Sequence, residues 1–164
     1  MKRAVKCHWI LVLFSILLGA LAGCNSPSPS HKNSDHSNGE LPRLSFFVVY
    51  ENAGDERRLV DSERYPRLGY IGAQPDLELR KIKAVEKAGS LEIDFEMGAT
   101  DGAVLHQLTR QNVGRRLLLM LDGEPLMAPY MREAISGRQI RLAVSSRVQL
   151  DRVLAALLRM AQTE

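Results

Sequence analysis

Four residues in the middle of the chain, Asp122-Gly123-Glu124-Pro125, place two carboxylates beside a glycine and a proline. Paired carboxylates act as general acid and base in many hydrolases, and His106 could supply a base near neutral pH. The same four residues are typical of a tight turn, because Asp accepts local backbone hydrogen bonds and Gly adopts a positive φ. An enzyme also needs a second titratable group held close to the first. Glu124 is the obvious candidate, but as a hairpin neighbour it is expected to point into water. We therefore interpret Asp122 and Gly123 as hairpin residues and predict that the protein is not an enzyme.

Three residues nearer the start of the chain have side chains that can bind metals. His31, Asp35 and His36 lie in a segment rich in Ser, Asn and Pro, residues 24–43, that holds almost nothing apolar. Such a segment cannot bury enough surface to order itself, and structural metal sites need ligands on a rigid frame. We therefore predict a flexible tether, with no metal ion and no other cofactor.

A charged stretch between residues 54 and 69 is rich in arginine. Its basic residues are interspersed with acidic ones, namely Arg57, Arg58, Arg64 and Arg67 among Asp55, Glu56, Asp61 and Glu63. This mixture is typical of a solvated face with surface salt bridges, and the alternative is a site for a lipid or a protein partner. We expect the stretch to be irregular.

The first residues of the chain have the composition of a bacterial signal peptide. Lys2, Arg3 and Lys6 precede an apolar run over residues 9–22, and a run of about 14 residues is short for a bilayer-spanning helix. The next feature resembles a lipobox and consists of Leu21, Ala22, Gly23 and Cys24. The resemblance implies cleavage after residue 23, a diacylglyceryl group on the thiol of Cys24 and an acyl group on its new amine. The alternatives are an uncleaved signal anchor and an ordinary secretory peptide with an incidental cysteine.

Removal of the signal peptide changes the charge of the chain. The 22 basic residues include three in the signal peptide, so the mature chain has 19 basic and 19 acidic residues. A neutral chain gives no reason to expect nucleic acid as a partner. Each buried acyl CH₂ contributes about 0.8 kcal/mol, so two or three acyl chains make the anchor effectively permanent. We predict a lipid-anchored protein of the cell envelope that faces the periplasm, and Asn25, which is not Asp, favours the outer membrane.

The region after the tether has a readable pattern of elements. Residues 44–52 predict a strand, and residues 77–88 are compatible with a strand or a helix. Strict alternation of apolar and polar residues predicts half-buried strands over residues 90–97 and 138–144. Between these two strands the sequence indicates a helix that runs to Asn112 and is followed by Gly114. Two strands come next, over residues 115–121 and 124–127, joined by the Asp-Gly turn. A helix then runs from Pro129 to Ser136 and is ended by Gly137. Ser146 begins a last amphipathic helix.

The order from residue 90 is strand, helix, strand, strand, helix, strand, helix. This order is the split βαβ pattern of a ferredoxin-like α+β sandwich with an extra C-terminal helix. The first and last strands are neighbours in that topology, so we expect Gln139 and Arg141 across from an acidic stripe. The stripe consists of Glu92, Asp94 and Glu96. We therefore predict an α+β domain over residues 75–164, preceded by a strand and an irregular charged region over residues 44–74.

Several spaced motifs within residues 75–162 resemble the head of the first periplasmic domain of SecD, a membrane component of bacterial protein export. They are a Thr-X-X-Asn-X-Gly helix ending (Thr109, Asn112, Gly114), a Leu-Asp-Gly after a hydrophobic strand (Leu121, Asp122, Gly123), and an Ala-Pro pair with a later Gly (Ala128, Pro129, Gly137). The chain departs from the family where Met127 replaces the usual serine, and where no Gly follows the last strand. No transmembrane segment follows these motifs, so the resemblance implies a head module without the helices that would couple export to proton flow.

This resemblance implies a non-enzymatic, membrane-tethered interaction module that contacts exported polypeptides or envelope machinery. Met127, Tyr130 and Met131 flank the Ala-Pro pair and are candidate contact residues, because Met and Tyr make adaptable apolar contacts. The alternative is that they pack under the sheet as core residues. A second hypothesis for function is a structural or regulatory lipoprotein that binds one specific envelope partner. A third is a small hydrolase that uses Asp122, Glu124 or His106.

Overall fold

The computed structural model describes residues 40–162 of the chain. The predicted signal peptide and lipobox and most of the tether lie outside the described residues, as do His31, Asp35 and His36. The described part contains nine strands and two helices. Their bounds are β1 Leu44–Val49, β2 Arg57–Val60, β3 Gly69–Gly72, β4 Leu77–Leu79, β5 Ala84–Lys87, β6 Glu92–Glu96, α1 Ala99–Gln111, β7 Arg116–Leu121, β8 Glu124–Met127, β9 Gln139–Ala143 and α2 Arg147–Ala161.

Strands β1 and β7 form the antiparallel centre of a sheet with the order β4-β1-β7-β8. They pair from Leu44 opposite Leu121 to Val49 opposite Arg116. Both strands are almost continuously apolar, as expected for a sheet that is covered on both faces. One face contributes to a large core shared with both helices, and the β2–β3 hairpin covers the other face. The large core includes Phe46, Leu105, Leu119 and Leu157, and the smaller core includes Phe47, Val60, Ile71 and Leu118.

The second sheet has the order β5-β6-β9, and helix α2 packs against it. Strand β6 alternates as predicted, with Ile93 fully buried in the large core. On its other face Asp94 lies directly across from Arg141, and Glu96 lies across from Gln139. The predicted cross-strand pairing of the acidic stripe is therefore confirmed.

Asp94 is a charged residue that is only 6% exposed. The guanidinium of Arg141 donates two parallel hydrogen bonds to its carboxylate, from Nε to Oδ1 at 2.8 Å and from Nη2 to Oδ2 at 2.7 Å. These hydrogen bonds hold the pKa of the Asp94 carboxyl below its usual value, against the opposing effect of burial. The pair therefore keeps the Asp94 carboxylate charged although it is buried, and it joins β9 to β6.

The predicted α+β class with a C-terminal helix is confirmed, and β6 and β9, the first and last strands of the predicted order, are neighbours. A ferredoxin-like sandwich would hold β7 and β8 in the same sheet as these two strands. Instead β7 and β8 join β1 and β4 in the other sheet. The reason is that β1 pairs with all six residues of β7, and five of the six β1 residues are apolar.

The helix predicted over residues 129–136 does not form, and this prediction was wrong. The start of the connection between β8 and β9 instead forms backbone hydrogen bonds with β7 and the residues just before it. Leu117 N donates to Pro129 O at 2.9 Å, and Met131 N donates to Arg115 O at 2.8 Å. The connection thus continues the pairing of β8 with β7, which a helix could not do.

Helix α1 holds the later part of the same connection. The hydroxyl of Thr109, which is fully buried, donates to Leu105 O at 2.8 Å and accepts from Ile135 N at 2.9 Å. Gly137, predicted to end a helix, has a φ of +98° in a bend just before β9. Gly137 therefore adopts a positive φ in a bend of the connection, and it does not end a helix.

The stretch predicted as irregular, residues 54–69, contains most of a hairpin. Strand β2 pairs with β3 from Arg57 opposite Gly72 to Val60 opposite Gly69. Gly69 has a φ of +133°, and a Cβ there would lie 2.6 Å from Tyr50 O, so glycine allows β3 to approach the end of β1. Residues 77–88, which were compatible with a strand or a helix, form strands β4 and β5.

We expect Arg141→Gln to destabilise the domain at neutral pH, because it leaves the buried Asp94 carboxylate without its charged partner. With its pKa lowered in the folded chain, ionised Asp94 stabilises the native protein fully above its usual pKa of about 4. That contribution is lost as the pH falls through the lowered value, so the deficit of the variant should shrink in acid. Urea unfolding followed by circular dichroism, from about pH 7 down to about pH 2, measures this dependence.

A matched control is Arg147→Gln, because Arg147 pairs with Asp151 on the surface of α2 and both side chains are mostly exposed. It should change stability little at any pH. An equal deficit of Arg141→Gln at every pH would mean that packing of the guanidinium, and not the charge pair, stabilises this sheet.

We expect Thr109→Val to lower the free energy of unfolding by about 1–3 kcal/mol, because Ile135 N loses its acceptor while the shape of the side chain is kept. Urea unfolding measures the change, and Thr100→Val, in the exposed first turn of the same helix, is the control. Equal effects of the two substitutions would contradict a specific role for the Thr109 hydroxyl.

Candidate functional site

The Asp122-Gly123 pair forms the turn between β7 and β8, as predicted. Asp122 has a φ of +49° and Gly123 a φ of +84°, the two positive values that a two-residue type I′ hairpin turn requires. Asp122 Oδ1 accepts a hydrogen bond from Arg43 N at 2.8 Å, and Asp122 N donates to Arg43 O at 3.0 Å. The carboxylate therefore joins the hairpin to the residue before β1, and residue 43, predicted as the end of the tether, is held on the domain.

The other two acid–base candidates contact different partners. Glu124 forms an ion pair with Arg152 of helix α2. His106 is exposed on α1, and its Nδ1 lies 3.0 Å from Ile135 O in the β8–β9 connection. Within residues 40–162 the described contacts of these two residues and of Asp122 do not join any two of the three. Their contacts are structural, and they give the hydrolase hypothesis no support.

The three candidate contact residues after the hairpin have different environments. Tyr130 is 58% exposed, whereas Met131 is 4% exposed and belongs to the large core. Met127 is half-buried against that core. Met131 is therefore a core residue and not a surface contact, because the extended chain turns its side chain away from the side on which Tyr130 lies.

Tyr130 lies at the edge of a cleft of about 540 Å³, which we call the Tyr130 cleft. The cleft is formed by the end of β1, the start of β2 and the turn between α1 and β7. The residues that matter for its chemistry are Tyr50, Arg57, Val113, Arg115, Arg116 and Tyr130. The cleft thus combines apolar and aromatic surface with three guanidinium groups.

Aromatic rings hold the arginines of the cleft in place. Arg57 and Arg115 both lie over the ring of Tyr50, with their guanidinium carbons 3.7 Å and 4.7 Å from the ring centroid. Arg116 lies 4.1 Å from the ring centroid of Tyr130. Guanidinium groups stack on aromatic faces because the ring face is negative and the planar cation is weakly hydrated. Each arginine therefore has a fixed position without needing a carboxylate.

Each of these arginines also donates one hydrogen bond to a nearby oxygen. Arg57 Nη1 bonds Asn52 O at 3.3 Å, Arg115 Nη1 bonds Asn112 Oδ1 at 3.0 Å, and Arg116 Nη1 bonds Ala128 O at 3.0 Å. The contact to Ala128, beside Pro129, ties the β8–β9 connection to the start of β7. The acceptors are uncharged, so the positive charge of each guanidinium is not neutralised by them.

The turn after α1 explains why two arginines point into the cleft. Asn112 caps the helix, with its Nδ2 donating to Leu108 O at 2.9 Å, and Gly114 follows with a φ of +87°. This positive φ reverses the chain direction at little steric cost, and Gly114 N then bonds Met131 O at 2.8 Å. Arg115 and Arg116 come directly after the turn. The motif residues Asn112 and Gly114 thus place the arginines, as well as ending the helix.

The arginine-rich stretch differs from its predicted salt-bridged face. The ion pairs of the described residues include none with Arg57, Arg58, Arg64 or Arg67. Arg57, Arg58 and Arg64 instead lie over the rings of Tyr50, Phe47 and Tyr65. Sequence reasoning missed Tyr50, Arg115 and Arg116 as site residues. The available signal was the adjacent basic pair after the Asn-X-Gly turn, but its aromatic partners are distant in sequence.

Comparison with known proteins relates most of the folded region to one family. Residues 75–162 match the family model described as the SecDF P1 head subdomain. The protein translocase subunit SecDF of Thermus thermophilus is 42% identical over 83 residues, which are 50% of this chain and 11% of that protein. This chain therefore spans about a tenth of the length of that curated relative.

Two solved structures share the fold. One is described as SecDF in a super-membrane-facing form, with a TM-score of 0.57 and 21% identity over 75% of this chain and 19% of that one. The other is described as a membrane component SecDF that enhances protein export, with a TM-score of 0.56 and 19% identity over 84% of this chain and 73% of that one. Within residues 40–162 of our chain, no helix has the length and apolar character needed to cross a membrane. With more than half of its residues matched by the family model, this chain belongs to the family of the SecDF P1 head subdomain.

Proposed function

We propose that the protein is a non-enzymatic, membrane-tethered interaction module that contacts polypeptides during protein export. The match of residues 75–162 to the SecDF P1 head subdomain carries this proposal. A structure with the same fold is described as a membrane component that enhances protein export. On this chain the contact surface would be the Tyr130 cleft, where an exposed tyrosine and stacked arginines surround apolar residues.

The membrane anchor in this proposal is a lipid on Cys24, preceded by the lipobox residues Leu21, Ala22 and Gly23. A diacylglyceryl and an N-acyl group would hold the head at the periplasmic surface of a membrane, with the outer membrane favoured by Asn25. The head would then sample polypeptides close to that surface, at the end of a tether that reaches to about residue 40.

The anchor is tested by metabolic labelling with a radioactive fatty acid. We expect the native chain to incorporate the label and Cys24→Ser to lose it, because the thiol is the site of lipid transfer. Cys7→Ser is a matched control, since Cys7 lies in the segment that cleavage removes. Label that persists in Cys24→Ser, or that is absent from the native chain, would contradict lipidation at Cys24.

The contact surface is tested by photocrosslinking in living cells from position 130, with the adducts identified by mass spectrometry. We expect adducts with many exported polypeptides, because Tyr130 is exposed beside the cleft. Position 131 is the neighbouring buried control, and position 148 on α2, where Val148 is 81% exposed, controls for contacts at any exposed apolar residue.

The pattern of adducts separates the hypotheses. Many secreted chains at position 130, with few at 131 and 148, would support contact with exported polypeptides. One recurrent envelope protein would instead support the lipoprotein adaptor that binds a specific partner. Equal adducts at positions 130 and 148, or adducts at 148 alone, would contradict a role for the Tyr130 cleft.

A further inference from the structure

The arginines of the Tyr130 cleft differ from three arginines around the β6–β9 sheet and helix α2. Around the β6–β9 sheet and α2, Arg138, Arg141 and Arg152 each form an ion pair with a carboxylate. The ion pairs of residues 40–162 include none with the three cleft arginines. The cleft thus concentrates positive charge that the folded chain leaves available.

Acidic residues of the chain do not cancel this charge. Among the residues that line the cleft, Glu51 carries the one carboxylate, against the guanidinium groups of Arg57, Arg115 and Arg116. Glu51 is exposed at the end of β1 and forms none of the ion pairs of the described residues. The lining therefore has an excess of two positive charges, which favours an anionic occupant.

The geometry of the arginines favours a planar anion such as a carboxylate. Stacking on the ring of Tyr50 restrains Arg57 and Arg115, so little side-chain freedom remains to be lost when a ligand binds. The forked donors of a guanidinium match the two oxygens of a carboxylate. Apolar atoms of Val49, Leu68 and Val113 line the same cleft and can contact the neighbouring parts of an occupant.

We infer that the Tyr130 cleft binds acidic segments of extended polypeptides, with an Asp or Glu carboxylate held by Arg57 and Arg115. This inference rests on the proposed function and adds a preference among polypeptides. The carboxylate supplies the charge that the cleft lacks, and the flanking residues of the peptide contact Tyr130 and the apolar lining. A polypeptide fits this mixed surface better than a headgroup alone, because it offers side chains on both sides of the charge.

The inference is tested with the full chain and two fluorescent peptides of equal length, one with Asp alternating with apolar residues and the other with Asn replacing each Asp. Fluorescence anisotropy gives the two dissociation constants. We expect the Asp peptide to bind at least about tenfold more tightly, as charge-assisted hydrogen bonds predict. We also expect this preference to weaken as salt is added.

The double variant Arg57→Gln with Arg115→Gln should remove the preference for the Asp peptide and leave binding of the Asn peptide unchanged. The matched control is Arg80→Gln with Arg147→Gln, which removes the same charge from two exposed arginines outside the cleft. This control should keep the preference. If the Arg57 change disturbs the β2–β3 hairpin in thermal unfolding, Arg115→Gln alone is the test variant. We expect it to keep the fold, because Arg115 is exposed and its distance to the Tyr50 ring is the longer one. It should still reduce the preference, because it removes one of the two guanidinium groups.

Three outcomes would overturn the inference. Equal affinity for the Asp and Asn peptides, unchanged in the double variant, would leave polypeptide contact intact and remove the acidic preference. Binding to vesicles that contain anionic lipid but to neither peptide, with loss in the double variant, would assign the arginines to a membrane phosphate. Loss of preference in both the cleft variant and the control would make it an effect of net charge. Failure of the proposed function itself is read separately, from the crosslinks at position 130.

Discussion

The antiparallel pairing of β1 with β7 is the constraint on which the rest of this domain depends. Its register places Leu44 opposite Leu121 at one end and Val49 opposite Arg116 at the other. At the first end the pair is closed by the contact between Asp122 and Arg43. At the second end Tyr50 directly follows β1 and Arg115 directly precedes β7, so the Arg115 guanidinium lies over the Tyr50 ring. A shift of one residue between the two strands would reverse the faces of one strand relative to the other and separate these groups.

The same pairing determines the path of the chain after β8. Because β7 is held in the sheet by β1, its other edge is available to β8 and to the residues that follow. Pro129 O accepts a hydrogen bond from Leu117 N, and Met131 N donates one to Arg115 O. Further along the connection, the Thr109 hydroxyl accepts a hydrogen bond from Ile135 N. The connection therefore begins as a continuation of β8 beside β7 and leads to β9 in the second sheet. This path leaves Tyr130 exposed while it buries the adjacent Met131.

Arginine serves two purposes in this domain, and the difference follows from its neighbours. In the β6–β9 sheet, Arg141 compensates a buried carboxylate and so stabilises the fold. Near the ends of β1 and β7, arginines lie on tyrosine rings, which position the guanidinium without neutralising it. In the sheet the charge of the arginine is thus paired with a carboxylate, whereas in the cleft the positive charge of the arginines is available. Asp122, Glu124 and His106, the three acid–base candidates, each contact a different part of the fold.

The sequence by itself determined the features that depend on near neighbours. Alternation over residues 90–97 and 138–144 predicted β6 and β9, and Asp122-Gly123 predicted the hairpin because positive φ is a local property of these residues. The order of the elements added the expectation that Gln139 and Arg141 lie across from the acidic stripe. The spaced motifs indicated the family over residues 75–162. Only the tertiary structure decided that residues 129–136 are not helical, because backbone pairing of residues 129–131 beside β7 outweighs the weak start and stop signals of a short helix. Only the tertiary structure separated Tyr130 from Met131 and brought Tyr50 to Arg115, because the buried face of an extended chain depends on what packs against it.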